Sequence, residues 1–247
     1  MRILVTGSEG YIGSYLVPFL EEKGHTVYLY DLKLGHDILN EKQVFLEMRE
    51  CDAVIHLAAI VGDPKCAENT EEAIMTNQEG TGIVVRMARA VGIKKLIYAS
   101  TCSVYGTNHR ETCTIDSDPN PLSVYAWTKF VGEQIVLMNG YQALRFGTAF
   151  GITPNMRYNL IINGMWKNAK EGKPIWIFNK ENYRPFAHVK TICKAIHRAL
   201  YTNTPLKNVV NFNATIEQVG RFMCSLMKIP LIDKGHDSDR RSYKVEC

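Results

Sequence analysis

The 247 residues hold no apolar run near the roughly 18 residues that a bilayer-crossing helix needs. The opening Met1-Arg2-Ile3-Leu4-Val5-Thr6-Gly7 breaks at a glycine before a signal-peptide core can form, so a cytoplasmic chain with no membrane partner is expected. Metal-ligand spacing is missing too. The seven cysteines include no C-x-x-C pair and no His-coupled set, so reduced thiols and no metal site are expected. Charge of one sign is scarce: 29 basic against 25 acidic residues leave +4, and the densest basic pairs are Lys94-Lys95 and Arg240-Arg241. Neither approaches a polyanion-binding tract, so nucleic acid is not an expected partner. No repeat, low-complexity stretch or flexible linker appears, which points to parts packed as one unit around a cleft. What is present is core material, 46% hydrophobic residues with only 22% charged.

The first two thirds alternate short β-branched runs with longer amphipathic stretches, the pattern of a parallel sheet covered by helices on both faces. Strands are predicted at Ile3 to Thr6, Val27 to Asp31, Ala53 to Leu57, Leu96 to Ser100 and Ala143 to Phe146. Helices are predicted at Tyr11 to Glu22, Glu41 to Arg49, Glu71 to Ala90 and Ser123 to Met138. Pro18 conflicts locally with the first helix, whereas Asn40 and Gln43 read as a cap on the second. The expected fold class is α/β, a Rossmann-like doubly wound parallel sheet. After Gly151 the rhythm loosens, with helices expected at Arg157 to Lys170, Val189 to Leu200 and Thr215 to Met227, and an extended piece at Ile175 to Phe178.

Thr6-Gly7-Ser8-Glu9-Gly10-Tyr11-Ile12-Gly13 lies between the first strand and the first helix. Gly7 and Gly10 permit a tight turn and close approach of a diphosphate, Gly13 permits close helix packing, and the helix N-terminus offers free N–H groups. Such a triplet also occurs at ordinary turns. Asp31, 24 residues after Gly7, adds a carboxylate placed to accept ribose hydroxyls and repel a 2′-phosphate, which favours NAD over NADP. An Asp at a strand end is also a turn former, and Lys33 nearby could neutralise the repulsion. Asp37 and Ile38 could hold the adenine, or Asp37 could be a solvated loop residue.

Tyr125 and Lys129 stand four apart on a predicted helix and so share a face, where an ammonium could favour a phenolate. A tyrosine of ordinary pKa near 10 is a poor base; a neighbouring cation and bound NAD would bring it into range.

The ordered segments Thr6 to Gly13, His56-Leu57-Ala58-Ala59, Asn77 to Thr81, Ser100 to Gly106, Tyr125 to Lys129, Leu144-Arg145-Phe146 and Arg184 to Val189 together resemble the extended short-chain dehydrogenase/reductase superfamily, in particular its NAD-dependent nucleotide-sugar epimerases and dehydratases. The resemblance implies Tyr125 as base, Lys129 on the nicotinamide ribose and Thr101 on the reacting hydroxyl. For the cofactor it implies Gly7, Gly10, Tyr11, Ile12, Gly13, Asp31, Asp37, Ile38, Leu57, Ala58, Ala59, Asn77 (steadying the loop), Ser100, Tyr125, Lys129 and Phe146. Thr101, Thr148, Asn159, Arg184 and Arg241 are implied for a nucleotide-diphosphate sugar. A homodimer through the helices at Glu71 to Ala90 and Ser123 to Met138 is implied as well.

In 4,6-dehydratases Asp and Glu follow the catalytic Thr; here Cys102 and Ser103 stand there, and Cys102 reads as a buried filler. That leaves a 4-epimerase working through a transient 4-keto-sugar as the expected function. Open alternatives are an NAD(P)-dependent reductase, dehydrogenase or dehydratase, and a non-catalytic dinucleotide-binding protein. Residues 1–150 and 185–202 are assigned to the NAD-binding part, and 151–184 with 203–247 to a substrate region that is small for the family. Lys190 in place of the usual Asp, Gly147-Thr148 in place of an aromatic-Asn pair, and a short C-terminal portion are departures that bear on the sugar, not on NAD. His188 reads as a structural histidine.

Overall fold

The computed structural model describes the backbone of residues 1–247 and every side chain except those of 108–110. In chain order, β1 (Arg2–Thr6), α1 (Gly13–Glu22), β2 (Thr26–Tyr30), α2 (Glu41–Met48), β3 (Ala53–His56), α3 (Asp63–Glu68), α4 (Thr70–Ile74) and α5 (Gly80–Ala90) form the first half. They are followed by β4 (Lys95–Thr101), β5 (Thr107–Cys113), α6 (Val124–Met138), β6 (Gln142–Phe146) and β7 (Thr148–Phe150). The remainder is α7 (Ile161–Lys170), β8 (Ile175–Ile177), β9 (Tyr183–His188), α8 (Val189–Ala199), β10 (Leu206–Val209), β11 (Phe212–Thr215), α9 (Ile216–Met227), β12 (Leu231–Asp233) and β13 (Ser242–Val245).

Six strands form one parallel sheet in the order β10-β6-β4-β3-β1-β2, the Rossmann-like arrangement expected. The continuous apolar runs of β1 and β3 are buried on both faces: Ile3, Val5 and Ile55 pack against α1 and α8, while Leu4 and Val54 pack against α2 and α5. The sixth strand corrects one domain boundary. Leu206–Val209, assigned above to the substrate region, pairs in register with Ala143–Phe146 and belongs to the main sheet. Its Leu-Lys-Asn-Val lacks an apolar run because it is an edge strand with a half-exposed face.

The predicted helix over 71–90 is interrupted. A π-helical turn at Met75–Glu79 separates α4 from α5 and turns Asn77 inward. There its Oδ1 accepts from the Ile60 amide at 2.8 Å, and its Nδ2 donates to Ile60 O at 2.9 Å and Thr128 Oγ1 at 3.0 Å. Helix α1 continues through Pro18, and Asn40 caps α2 by accepting the Gln43 amide, as expected. The helix predicted from Arg157 begins only at Ile161, leaving residues 152–160 as a loop over the cleft.

Beyond the sheet, the small sheets β11-β9-β7 and β12-β8 gather α7 and α9 around a separate apolar cluster of Met165, Ile175, Ile177, Phe186, Ile216 and Met223, while β13-β5 packs Cys113, Tyr243 and Val245 against Cys102, Val104 and Tyr105. No helix among the described residues is long and apolar enough to cross a membrane.

Candidate active site

A cleft of 1410 Å³ opens where the C-terminal ends of β1, β2, β3, β4 and β6 face the small sheets. Its floor is the glycine loop. Gly7 adopts φ +73°, and a Cβ there would lie 2.7 Å from the Ala58 nitrogen; at Gly13 it would lie 2.2 Å from the Gly7 carbonyl. Both positions demand glycine. Helix α1 starts beside the cleft without a side-chain cap, and the amides of Tyr11, Ile12 and Gly13 donate to no acceptor among the described residues. Unspent N–H groups at a positive helix end fit a dinucleotide diphosphate.

Asp31 lies at the edge of this floor, held by the Glu9 amide at 2.9 Å and the Lys33 amide at 3.0 Å. Lys33 turns its ammonium to the Glu9 carbonyl at 3.0 Å. Asp37 and Ile38 line the same end, and Asp37 accepts the Leu39 amide at 2.9 Å. Leu57, Ala58 and Ala59 line the wall; Leu57 and Ala58 are anchored through their amides to the Thr6 carbonyl and hydroxyl. Phe146 closes the end of β6. Gly10 and Ser100 also line the cleft, although the Ser100 hydroxyl is committed to Glu133 at 2.6 Å.

Asn77 corrects its assignment to the cofactor. Its amide is spent on Ile60 and Thr128, so it braces the wall between β3 and α6 from behind and does not face the cleft.

Thr101 ends β4, and Tyr125 and Lys129 project from the start of α6, all three lining the cleft. Ser123 caps that helix by accepting the Ala126 amide at 3.2 Å, which fixes where Tyr125 emerges. Burial pushes the Tyr125 phenol up to about 12, against the Arg157 charge and a Thr101 hydrogen bond that draw it down. Burial pushes Lys129 down to about 7, with Glu133 opposing, and its Nζ sits 4.0 Å over the Tyr98 ring. The cation that bears most on Tyr125 is therefore Arg157, and the expected ammonium–phenol proximity has its counterpart in Lys129 and Tyr98. Arg157 sits in an irregular loop, where no periodicity flags it.

Glu133 was also unmarked in the sequence. It accepts from Arg145 at 2.6 and 2.9 Å, both side chains essentially buried, with Tyr105 taking the remaining guanidinium edge. Its signal was legible: it stands four residues after Lys129 on the face of α6 that carries Tyr125. Cys102 is fully buried, and burial raises its thiol well above the ordinary range, as a filler requires. His188 caps α8 through the Lys190 amide at 3.1 Å.

The opposite wall carries Thr148, Asn159, Arg184 and Arg241. Arg184 reaches Asp239 at 2.8 Å; Arg241 reaches Asp239 at 2.7 Å and Asp63 at 2.8 Å. Burial alone would raise Asp239, but the hydrogen bonds and charges of Arg241 and Arg184 hold its carboxyl well below the usual range. The two arginines come together on Asp239, matched by two carboxylates, Asp239 and Asp63, that no sequence pattern marks.

Fold and cleft together define a Rossmann-type dinucleotide-binding protein. More narrowly, the chain belongs to the NAD-dependent epimerase/dehydratase family, whose model matches residues 3–213. NAD is the family's cofactor, and the glycine floor fits it. The chain is 30% identical to protein CapI of Staphylococcus aureus over 80% of this chain and 69% of that protein. It is 26% identical to GDP-6-deoxy-D-talose 4-dehydrogenase of Aggregatibacter actinomycetemcomitans over 92% and 80%. Its fold is like that of the UDP-glucose 4-epimerase of Thermotoga maritima, with a TM-score of 0.90 at 22% identity, covering 99% of this chain and 89% of that one.

Proposed function

We propose that this chain is an NAD-dependent nucleotide-sugar 4-epimerase. The observation that carries the reading is the pairing of Thr101, Tyr125 and Lys129 in one cleft with a buried thiol, Cys102, where the dehydratase branch places a carboxylic acid. Without that acid the sugar's hydroxyl has no proton donor for elimination, and a 4-keto-sugar's remaining course is reduction.

In this reading NAD supplies the hydride acceptor and then the hydride donor for C4. Tyr125 Oη takes the proton of the C4 hydroxyl and returns it to the reduced carbonyl oxygen. Thr101 holds that oxygen through its hydroxyl, and Lys129 holds the nicotinamide ribose. A phenol near 12 is a weak acid; a cationic nicotinamide held beside it would lower that value and ready the base. Arg184 and Arg241 receive the diphosphate, Thr148 and Asn159 the sugar. The substrate is a nucleotide-diphosphate sugar.

Several relatives bear 4-epimerase names, among them a probable UDP-glucuronate 4-epimerase of Rhizobium meliloti, which supports this course. Incubation with UDP-, GDP-, CDP- and dTDP-sugars, followed by NMR at C4, tests it. An epimer formed with no net change in NADH, and lost in Tyr125→Phe, is expected. Net consumption of added NADH without an epimer would identify a reductase instead. We also propose a homodimer through the stretches Glu71 to Ala90 and Ser123 to Met138, where Met75, Trp127 and Met138 are exposed, to be checked by light scattering at micromolar concentration.

A further inference from the structure

The loop between β7 and α7 is fastened onto the glycine floor. The Tyr11 hydroxyl donates to the Gly151 carbonyl at 2.7 Å, Asn155 Nδ2 donates to the Glu9 carbonyl at 2.9 Å, and the Asn155 amide donates to Ser14 Oγ at 3.3 Å. Buried Asn163 staples both ends, accepting from the Gly151 amide and donating to the Arg157 carbonyl, each at 3.1 Å. At the end of this strap stands Arg157. Its guanidinium lines the cleft, with Nη2 3.5 Å from where a Cβ on Gly62 would lie, and its charge acts on the Tyr125 and Tyr11 phenols. No carboxylate pairs with it among the described residues, unlike Arg145, Arg184 and Arg241.

A largely buried guanidinium without a counter-ion is costly until an anion arrives. Two oxyanions could reach this corner, the dinucleotide diphosphate and an acidic group on the sugar. The first is favoured by the unspent amides of Tyr11, Ile12 and Gly13, which line the same cleft, and by the fastening of the strap to the glycine loop itself. The sugar nucleotide's diphosphate already has Arg184 and Arg241.

We propose that residues 151–157 form a clamp over the cofactor, with Arg157 as the side-chain cation that binds the NAD diphosphate opposite the glycine loop. The clamp rests on the family's cofactor and not on the epimerase reading. Binding of NAD alone therefore separates the two, since it requires no turnover.

Calorimetric titration of NAD into the apo protein, wild type and Arg157→Met, is the test, with NAD retained through purification as a second readout. A loss of affinity of roughly 10- to 100-fold is expected in Arg157→Met, largely recovered in Arg157→Lys, with thermal melting of the apo protein raised and not lowered in Arg157→Met, since an unpaired buried charge is removed. Affinity for NAD within twofold of wild type in Arg157→Met would overturn the clamp. So would a defect confined to binding of UDP-glucuronate and absent for UDP-glucose, which would assign the guanidinium to a sugar carboxylate.

Discussion

Arg241 and Asp63 form a 2.8 Å ion pair that ties the segment before β13 to the first turn of α3, at the mouth of the cleft. Asp63 accepts a second hydrogen bond from Ser123, the cap of the helix that carries Tyr125. One carboxylate thus occupies the arginine proposed for the diphosphate and braces the helix proposed for proton transfer. A diphosphate must compete with it for Arg241.

That competition predicts that Asp63→Asn tightens binding of UDP by about 3- to 10-fold, because Arg241 loses one of its two counter-charges while the amide oxygen still accepts from Ser123. Titration calorimetry with UDP checks this. Unchanged or weaker binding would place the diphosphate elsewhere.

Lys129 predicts opposite effects on stability and activity. Its pKa falls from 10.5 in the unfolded chain to about 7 in the folded one, so the folded state binds fewer protons between these values and stability rises with pH across that window. Below about pH 7 the buried lysine is charged and its cost is complete. Lys129→Met should therefore raise the melting temperature of the apo protein most at pH 6 and least near pH 10, while turnover is lost. Equal melting of the two proteins at pH 6 would contradict the burial cost.

The buried pair Glu133–Arg145 is predicted to be among the costliest side chains to break. Glu133→Ala leaves the Arg145 guanidinium, 2% exposed, with Tyr105 alone, and strips Ser100 of its acceptor. A loss of about 3 to 5 kcal/mol is expected, read as a lower urea midpoint. Replacing both partners, as in Glu133→Leu with Arg145→Met, should restore much of it, since no buried charge then lacks a partner.

What the sequence disclosed and what it hid divide along physical lines. The apolar strands β1 and β3, the glycine loop and the Tyr125/Lys129 spacing obey local rules, and each lies where those rules place it. Edge strand β10 carries a polar Lys207-Asn208 pair and so leaves no pattern, and the π-turn at Asn77 depends on a partner, Ile60, 17 residues away. Arg157, Asp63 and Asp239 sit in loops or at helix starts, where position follows from tertiary fastening and not from periodicity. The sequence placed Lys129 beside Tyr125 by helical spacing alone; the ring of Tyr98, brought in by β4, is what its ammonium faces.

His56 gives the last prediction, an acid limit on the fold. The ring is completely buried between Thr6 Oγ1 at 2.6 Å and Thr81 Oγ1 at 3.0 Å, and burial first, then the Lys129 charge, pushes its pKa down to about 3. In the unfolded chain it titrates at 6.5, so between pH 6.5 and 3 the unfolded state binds the extra proton. The stability contributed by the neutral ring is full above pH 6.5 and is lost as pH falls, by roughly 5 kcal/mol at the lower end. Urea midpoints measured from pH 7.5 to 4.5 should fall steadily in the wild type. In His56→Gln, which can still bridge the two threonines but does not titrate, the slope should flatten; parallel slopes in the two proteins would remove His56 as its source.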